Sequence, residues 1–165
     1  MVAKATNIPG DVVLDFTGVK PFEPLDEKVV YLVGVDSITP AISGETQKPM
    51  DKVVFTIKGP AEVQAMGTKE EDGEVTLTGD YAGHTTKAAG RKLFRNYMLQ
   101  ENAMPFLYEF IKGVDPSADL NTKTFQFKPA AYIGLEAACR IKNRVYNGQV
   151  QSDVARILPA SAYKE

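Results

Sequence analysis

Apolar and polar residues alternate most regularly in the segment GLEAACRIKNRVY, at residues 134–146. Because successive side chains of a strand point to opposite faces, this alternation predicts a strand with one apolar face. That face carries Leu135, Ala137, Cys139, Ile141 and Val145. The opposite face carries Arg140, Lys142, Arg144 and Tyr146. We therefore expect a strand that buries one face and exposes three cations and an aromatic ring on the other.

Further strands are predicted where β-branched and aromatic residues are concentrated, at residues 29–38, 51–58, 91–99 and 149–157. Residues 39–50 contain Pro and Gly and are predicted to form a loop. Asn147-Gly148 separates the last two strands, and this dipeptide is the strongest short signal for a hairpin turn.

One helix is predicted over residues 100–113. Asn102 is the expected N-cap, Pro105 falls in the first turn, and Gly113 is expected at the C-terminal cap. Residues 60–90 are rich in glycine and include the acidic run Glu70, Glu71 and Asp72. A strand fragment is expected at 74–78, and the remainder is expected to form a mobile flap, since long connections in compact domains are usually functional or disordered.

This order of elements predicts a mainly β (α+β) fold. Five or six strands with one helix before the final hairpin suit a small Greek-key barrel of the OB (oligonucleotide/oligosaccharide-binding) type. We expect an N-terminal arm at residues 1–28 packed on the core, an OB-like domain at 29–159 and a short tail at 160–165.

The composition is that of a globular protein, with 165 residues, 44% hydrophobic residues and a net charge of −2. This charge argues against binding of nucleic acid by bulk charge but allows a local basic groove. The single cysteine cannot form an internal disulfide, and no long apolar run or secretory signal is recognised. We therefore expect a cytoplasmic protein with no membrane association.

Motifs of catalysis and metal binding are not found in the sequence. No G-x-S-x-G, Walker A or G-x-G-x-x-G motif occurs, and His84 and Cys139 lie far apart without zinc spacing. We therefore expect that the protein is not an enzyme and has no cofactor, catalytic residue or metal site.

Three segments resemble a family of bacteriophage single-stranded-DNA-binding proteins. They are GRKLFRNYML at 90–99, PFLYEFIKGVDP at 105–116 and AYIGLEAACRIKNRVYNGQ at 131–149. The resemblance implies an OB-like fold and a role in DNA replication and recombination, in the host cell cytoplasm if the protein is phage-encoded. It also implies single-stranded DNA as a partner, with phage recombinase or replication proteins as further partners, and a homo-oligomer.

Two basic clusters with interleaved aromatic residues are the candidate nucleic-acid-binding site. Their members are Lys87, Arg91, Lys92, Arg95, Tyr97, Arg140, Lys142, Arg144 and Tyr146. The cations would neutralise phosphates, and Tyr97 and Tyr146 would stack on bases. The competing interpretation is a solvated strand face whose charges prevent aggregation. The other aromatic residues expected in the core are Tyr31, Phe55, Phe94, Phe106, Phe110, Phe125 and Phe127.

The first hypothesis for function is sequence-independent binding of single-stranded DNA. The alternative is a protein-interaction or assembly module on the same fold, such as a replisome or recombinase adaptor or a counter-defence factor. A continuous positive groove would favour the first hypothesis, and a large apolar patch would favour the second.

Overall fold

Seven strands and one α-helix make up a computed structural model that describes residues 13–15, 23–44 and 47–164. The elements are β1 (Tyr31–Ile42), β2 (Pro49–Gly59), β3 (Glu62–Glu71), β4 (Glu74–Lys87), β5 (Lys92–Met98), α1 (Met104–Val114), β6 (Glu136–Tyr146) and β7 (Gln149–Leu158). Short 3₁₀ turns lie at Glu101–Ala103, Pro129–Tyr132 and Ala160–Ala162. No helix in the described ranges is long and apolar enough to cross a membrane.

Five of the strands close into a barrel in the order β1-β2-β5-β7-β6, and β6 returns to pair with β1. All neighbours are antiparallel except β5 and β7, which run parallel and share the single pair Phe94–Asp153. Counted along the chain, the barrel strands lie in the order first, second, third, fifth and fourth. This arrangement, with the helix before the last two strands, is an OB-type Greek-key barrel and confirms the predicted fold class.

The core fills the barrel and continues under α1. Tyr31 and Phe55 are fully buried, as predicted, and so is Phe110 from the helix. The ring of Phe110 lies 6.0 Å from that of Phe55 and 5.0 Å from that of Tyr97, within the range of favourable aromatic pairs. The helix therefore closes one end of the barrel with aromatic contacts.

The predicted caps of α1 are wrong. The helix begins at Met104 with Ala103 as its N-cap, because residues 101–103 form a 3₁₀ turn that contains Asn102. Pro105 lies in the first turn as predicted. Gly113 lies inside the helix, where a Cβ would be 2.1 Å from Cγ2 of Ile157. Its function is to allow close packing of α1 on β7 and not to terminate the helix.

Residues 60–90 form a long β-hairpin, β3–β4, where a loop with one strand fragment was predicted. The tip is an Asp72-Gly73 turn in which both residues have positive φ, the geometry favoured by two-residue hairpin turns. Register shifts on both sides of Met66 break the alternation of side chains, and most of β4 is exposed. Residues 60–90 therefore lack the alternating sequence pattern of a strand with one buried face, which is why a loop was predicted there.

Residues 23–28 form a strap that joins this hairpin to the barrel. Leu25 is fully buried in the core, and its carbonyl accepts a hydrogen bond of 2.7 Å from Nδ2 of Asn143. The carbonyl of Pro24 accepts one of 2.9 Å from the amide of Met66 in β3. The hydroxyl of Tyr81 in β4 donates to the carboxylate of Asp26 at 3.2 Å. Most of the expected N-terminal arm lies outside the described residues, so the packing of the remainder stays a prediction.

Candidate nucleic-acid interface

Strand β5 presents Lys92, Phe94 and Asn96 on the outer surface of the barrel and turns Leu93 and Tyr97 inward. Phe94 is 47% exposed and Tyr97 only 3%. The predictions of Phe94 in the core and of Tyr97 as a base-stacking residue are therefore both wrong. Tyr97 follows buried Leu93 by four residues. Because residues at an even spacing in a strand share a face, alternation alone assigns Tyr97 to the inner face. Burial also raises its pKa above the ordinary tyrosine value.

Three adjoining cavities follow the first part of β7, residues 149–154, and we call them together the β7 groove. The central cavity, of about 650 Å³, is lined by Lys87, Arg91, Lys92, Phe94 and residues 150–152. A second cavity, of about 330 Å³, shares Phe94 and Gln151 with the central one, and we call it the sheet-end cavity. A third, of about 470 Å³, shares Glu23 and Val150 with the central one and reaches the β6–β7 turn, and we call it the turn-end cavity. The groove therefore runs from the β6–β7 turn to the middle of β5, beside the β3–β4 hairpin.

Five of the nine predicted site residues line this groove. They are Lys87, Arg91, Lys92, Arg95 and Arg144. The exposed ring of Phe94 lies among them and is shared by the central and sheet-end cavities. The structure thus brings four residues of the first predicted cluster, from β4, β5 and the turn between them, to one surface with Arg144 of the β6 stripe. The exposed ring of Phe94, which was predicted to lie in the core, lies on the same surface.

Several of these cations already have anionic or carbonyl partners. Nζ of Lys92 lies 2.7 Å from the carboxylate of Asp36, and Arg144 is paired with Asp153. Arg91 donates to the carbonyl of Glu23 at 2.7 Å, and burial lowers its pKa. Lys87 makes no ion pair with any other residue that the structure describes, so its ammonium is available to an external anion.

Arg95 has a structural position at the seam between β5 and β7. Its guanidinium donates to the carbonyls of Val154 at 2.9 Å and Ala155 at 3.2 Å, and lies 5.3 Å from the ring centres of Tyr97 and Phe106. Because these strands share one residue pair, this side chain supplies hydrogen bonds that the backbone ladder does not. We therefore place Arg95 chiefly in barrel closure.

The predicted stripe on β6 is exposed, as its alternation indicated. Arg140, Lys142, Arg144 and Tyr146 all reach solvent, and Arg144 lies 5.2 Å from the ring centre of Tyr146. Of these four, only Arg144 lines the β7 groove. In the register of β6 with β7, Arg140 lies beside Arg156, Lys142 beside Asp153 and Tyr146 beside Gln149.

Among the groove residues that were not predicted as site residues are Phe94, Asn96 and Gln151. Phe94 and Asn96 could have been found from their shared parity with Lys92 on β5. Gln151 has no local signal, because its place in the groove depends on the parallel contact of β7 with β5.

A second surface feature is an apolar cavity of about 860 Å³ between α1 and residues 120–127. Its lining includes Leu99, Met104, Tyr108, Ile111, Phe125 and Phe127. Tyr108 is 54% exposed, and Phe125 is 37% exposed, where a core position was predicted. Phe106, another predicted core residue, is 55% exposed on the same helix.

Comparison of the chain with protein-family models and with curated proteins gives no match.

Proposed function

We propose that this protein binds single-stranded DNA, without sequence specificity, in the β7 groove. The observation that carries the proposal is the exposed ring of Phe94 at the centre of a groove with five cations. Arginine and lysine neutralise phosphates, and an exposed aromatic ring stacks on an unpaired base. If this were only a solvated face, the cations would be explained but the half-exposed ring of Phe94 beside them would not. The combination of cations and ring therefore favours a ligand with both anionic and aromatic parts.

The same features favour single strands over duplex and make base identity unimportant. The bases of a duplex are stacked on one another and cannot offer a face to Phe94. Every base has a π-face and every nucleotide a phosphate, so neither contact reads sequence. The setting in phage replication and recombination, and a homo-oligomeric state, are parts of the proposal that rest on the family resemblance.

The direct test is a fluorescence-anisotropy titration of a labelled poly-dT oligonucleotide about 30 bases long, at low and physiological salt, with duplex of equal length beside it. We expect tight, salt-dependent binding of the single strand and weak binding of the duplex. Absence of single-strand binding at low salt would refute the proposal.

A pair of variants on one strand tests the location. Arg144→Ala should weaken binding and make the log–log salt slope shallower by about 0.7, the value for one phosphate contact on a single strand. Arg140→Ala is the matched control, since it removes the same charge from the same face of β6 outside the groove. Equal effects of the two variants would argue against the groove.

The apolar cavity beside α1 favours a second candidate function, an assembly module that associates with a second copy. Exposed Met104, Tyr108 and Phe125 form the kind of apolar patch that marks interaction surfaces. Sedimentation velocity over a range of concentrations should show self-association that Tyr108→Glu abolishes. A concentration-independent monomer would exclude this candidate, and with it the proposed homo-oligomeric state, but would not bear on the binding of DNA in the β7 groove.

A further inference from the structure

The β7 groove is uneven in charge along its length. The central cavity has three cations, Lys87, Arg91 and Lys92, beside one carboxylate, that of Glu23. The sheet-end cavity has Arg95 and Arg144 beside Asp153. The turn-end cavity is lined by Glu23 and Glu70 and by no cation within the described part of the chain. The cationic part of the groove therefore stops where the hairpin comes closest to the β6–β7 turn.

The two carboxylates come from separate elements and are held on the groove side. Glu23 belongs to the strap, where its carbonyl accepts from Arg91 and its carboxylate is paired with His84. Glu70 lies on β3 opposite Val75 of β4, and both residues line the turn-end cavity. Glu70 makes no ion pair within the described ranges, so its negative charge is not compensated locally.

We infer that the turn end of the groove is closed to phosphate, so that a single strand follows β7 through the sheet-end and central cavities and leaves the groove at Glu23. The reason is electrostatic: a phosphate placed in the turn-end cavity would lose its hydration beside the carboxylate of Glu70, which has no ion pair within the described ranges, and that of Glu23, which is paired with His84. None of the described residues that line this cavity is a lysine or an arginine. This inference rests on the proposed function and adds to it a limit on the length of DNA bound.

Reversal of the charge at Glu70 should open this end. Glu70→Lys would supply a cation where the wild type has an anion, and Glu70→Gln would remove the repulsion alone. The matched control is Glu74→Lys, which makes the same charge change on the opposite face of the hairpin, since Glu74 pairs with Glu71 and not with Glu70. Both positions are exposed, so the barrel core is not disturbed.

The measurement is anisotropy titration of each variant with a series of poly-dT oligonucleotides of increasing length. For Glu70→Lys we expect affinity for long oligonucleotides about fivefold higher, from a two-unit charge change near one phosphate. We also expect a salt slope steeper by about 0.7 and an affinity plateau at a greater length. Glu70→Gln should change in the same direction by less, and Glu74→Lys should retain the wild-type plateau.

The possible failures are distinct. If wild type binds poly-dT but Glu70→Lys and Glu74→Lys have the same slope and the same plateau length, the turn end is not closed and only this inference is overturned. If wild type binds no oligonucleotide at low salt, both the inference and the proposed function are overturned.

Discussion

Phe94 offers the sharpest test of the proposed site, because its side chain contributes little to the fold and is expected to contribute much to binding. The side chain is 47% exposed, so roughly half of the 1.5–3 kcal/mol gained by burying a large apolar side chain is at stake. Phe94→Ala should therefore lower the free energy of unfolding by about 1 kcal/mol. Stacking on a base contributes about 1–3 kcal/mol, so affinity for poly-dT should fall about 5- to 150-fold.

The variant removes no charge, which separates it from the cation variants. Its log–log salt slope should equal that of wild type, while its affinity is lower at every salt concentration. Phe94→Leu keeps an apolar side chain of similar size but has no ring, and it should bind almost as weakly as Phe94→Ala. Recovery of affinity in Phe94→Leu would show that the contact is apolar and not base stacking.

A fluorescence reporter is available at the same position because the chain has no tryptophan. Phe94→Trp gives a protein with one tryptophan in the groove, and Tyr108→Trp gives a control at a position 54% exposed beside the apolar cavity. We expect poly-dT to quench the first and to leave the second unchanged. Binding of DNA to a folded Phe94→Trp protein without any change in its emission would refute the stacking role.

Three further predictions concern charge, closure and burial. Asp153→Asn should increase affinity, because a phosphate would no longer have to displace the Asp153 carboxylate from Arg144; an anisotropy titration measures the affinity, and unchanged binding would contradict the prediction. Arg95→Ala should cost about 1.5–3 kcal/mol in urea unfolding, because it leaves the carbonyl of Val154 without its charged donor, and wild-type stability would remove Arg95 from barrel closure. Burial raises the pKa of the Cys139 thiol to about 12 from its ordinary value of 9.0. The contribution of the buried, protonated thiol to the free energy of unfolding is therefore fully present below pH 9 and is lost as the pH rises toward 12. A thiol reagent at pH 8 should accordingly react with Cys139 only at the rate of unfolding, and fast reaction would disprove its burial.

The barrel could be predicted because its strands carry the signals that sequence can show. Alternation on β6, the Asn147-Gly148 turn and the helix before the final hairpin together specify the element order of an OB-type barrel. The β3–β4 hairpin could not be predicted, since its exposed, glycine-rich strands bury no continuous face and its register shifts break the period. It is hydrogen-bonded to the strap at residues 23–28, which is distant in sequence.

The lining of the candidate site was predicted in part, for a related reason. Lys87, Lys92 and Arg144 were predicted to lie at the surface and do line the β7 groove, because charged side chains have few positions other than the surface. Residue type is a poor guide to whether an aromatic side chain is buried or exposed, because aromatic residues occur both in cores and in stacking sites. For Phe94 and Tyr97 the strand parity was decisive, and the assignment by residue type was wrong for both.

The charge distribution explains how a chain with a net charge of −2 could bind DNA and why its affinity would be adjustable. In the wild type, Asp153 and Asp36 each occupy a groove cation, so a phosphate must displace a carboxylate that is already in place. This exchange gains less free energy than the binding of a phosphate to an unpaired cation would. Added salt weakens both the carboxylate pair and the phosphate contact that replaces it. The strongest single-residue increases in affinity should therefore come from removal of these carboxylates, and addition of further lysines on the outer surface should matter less.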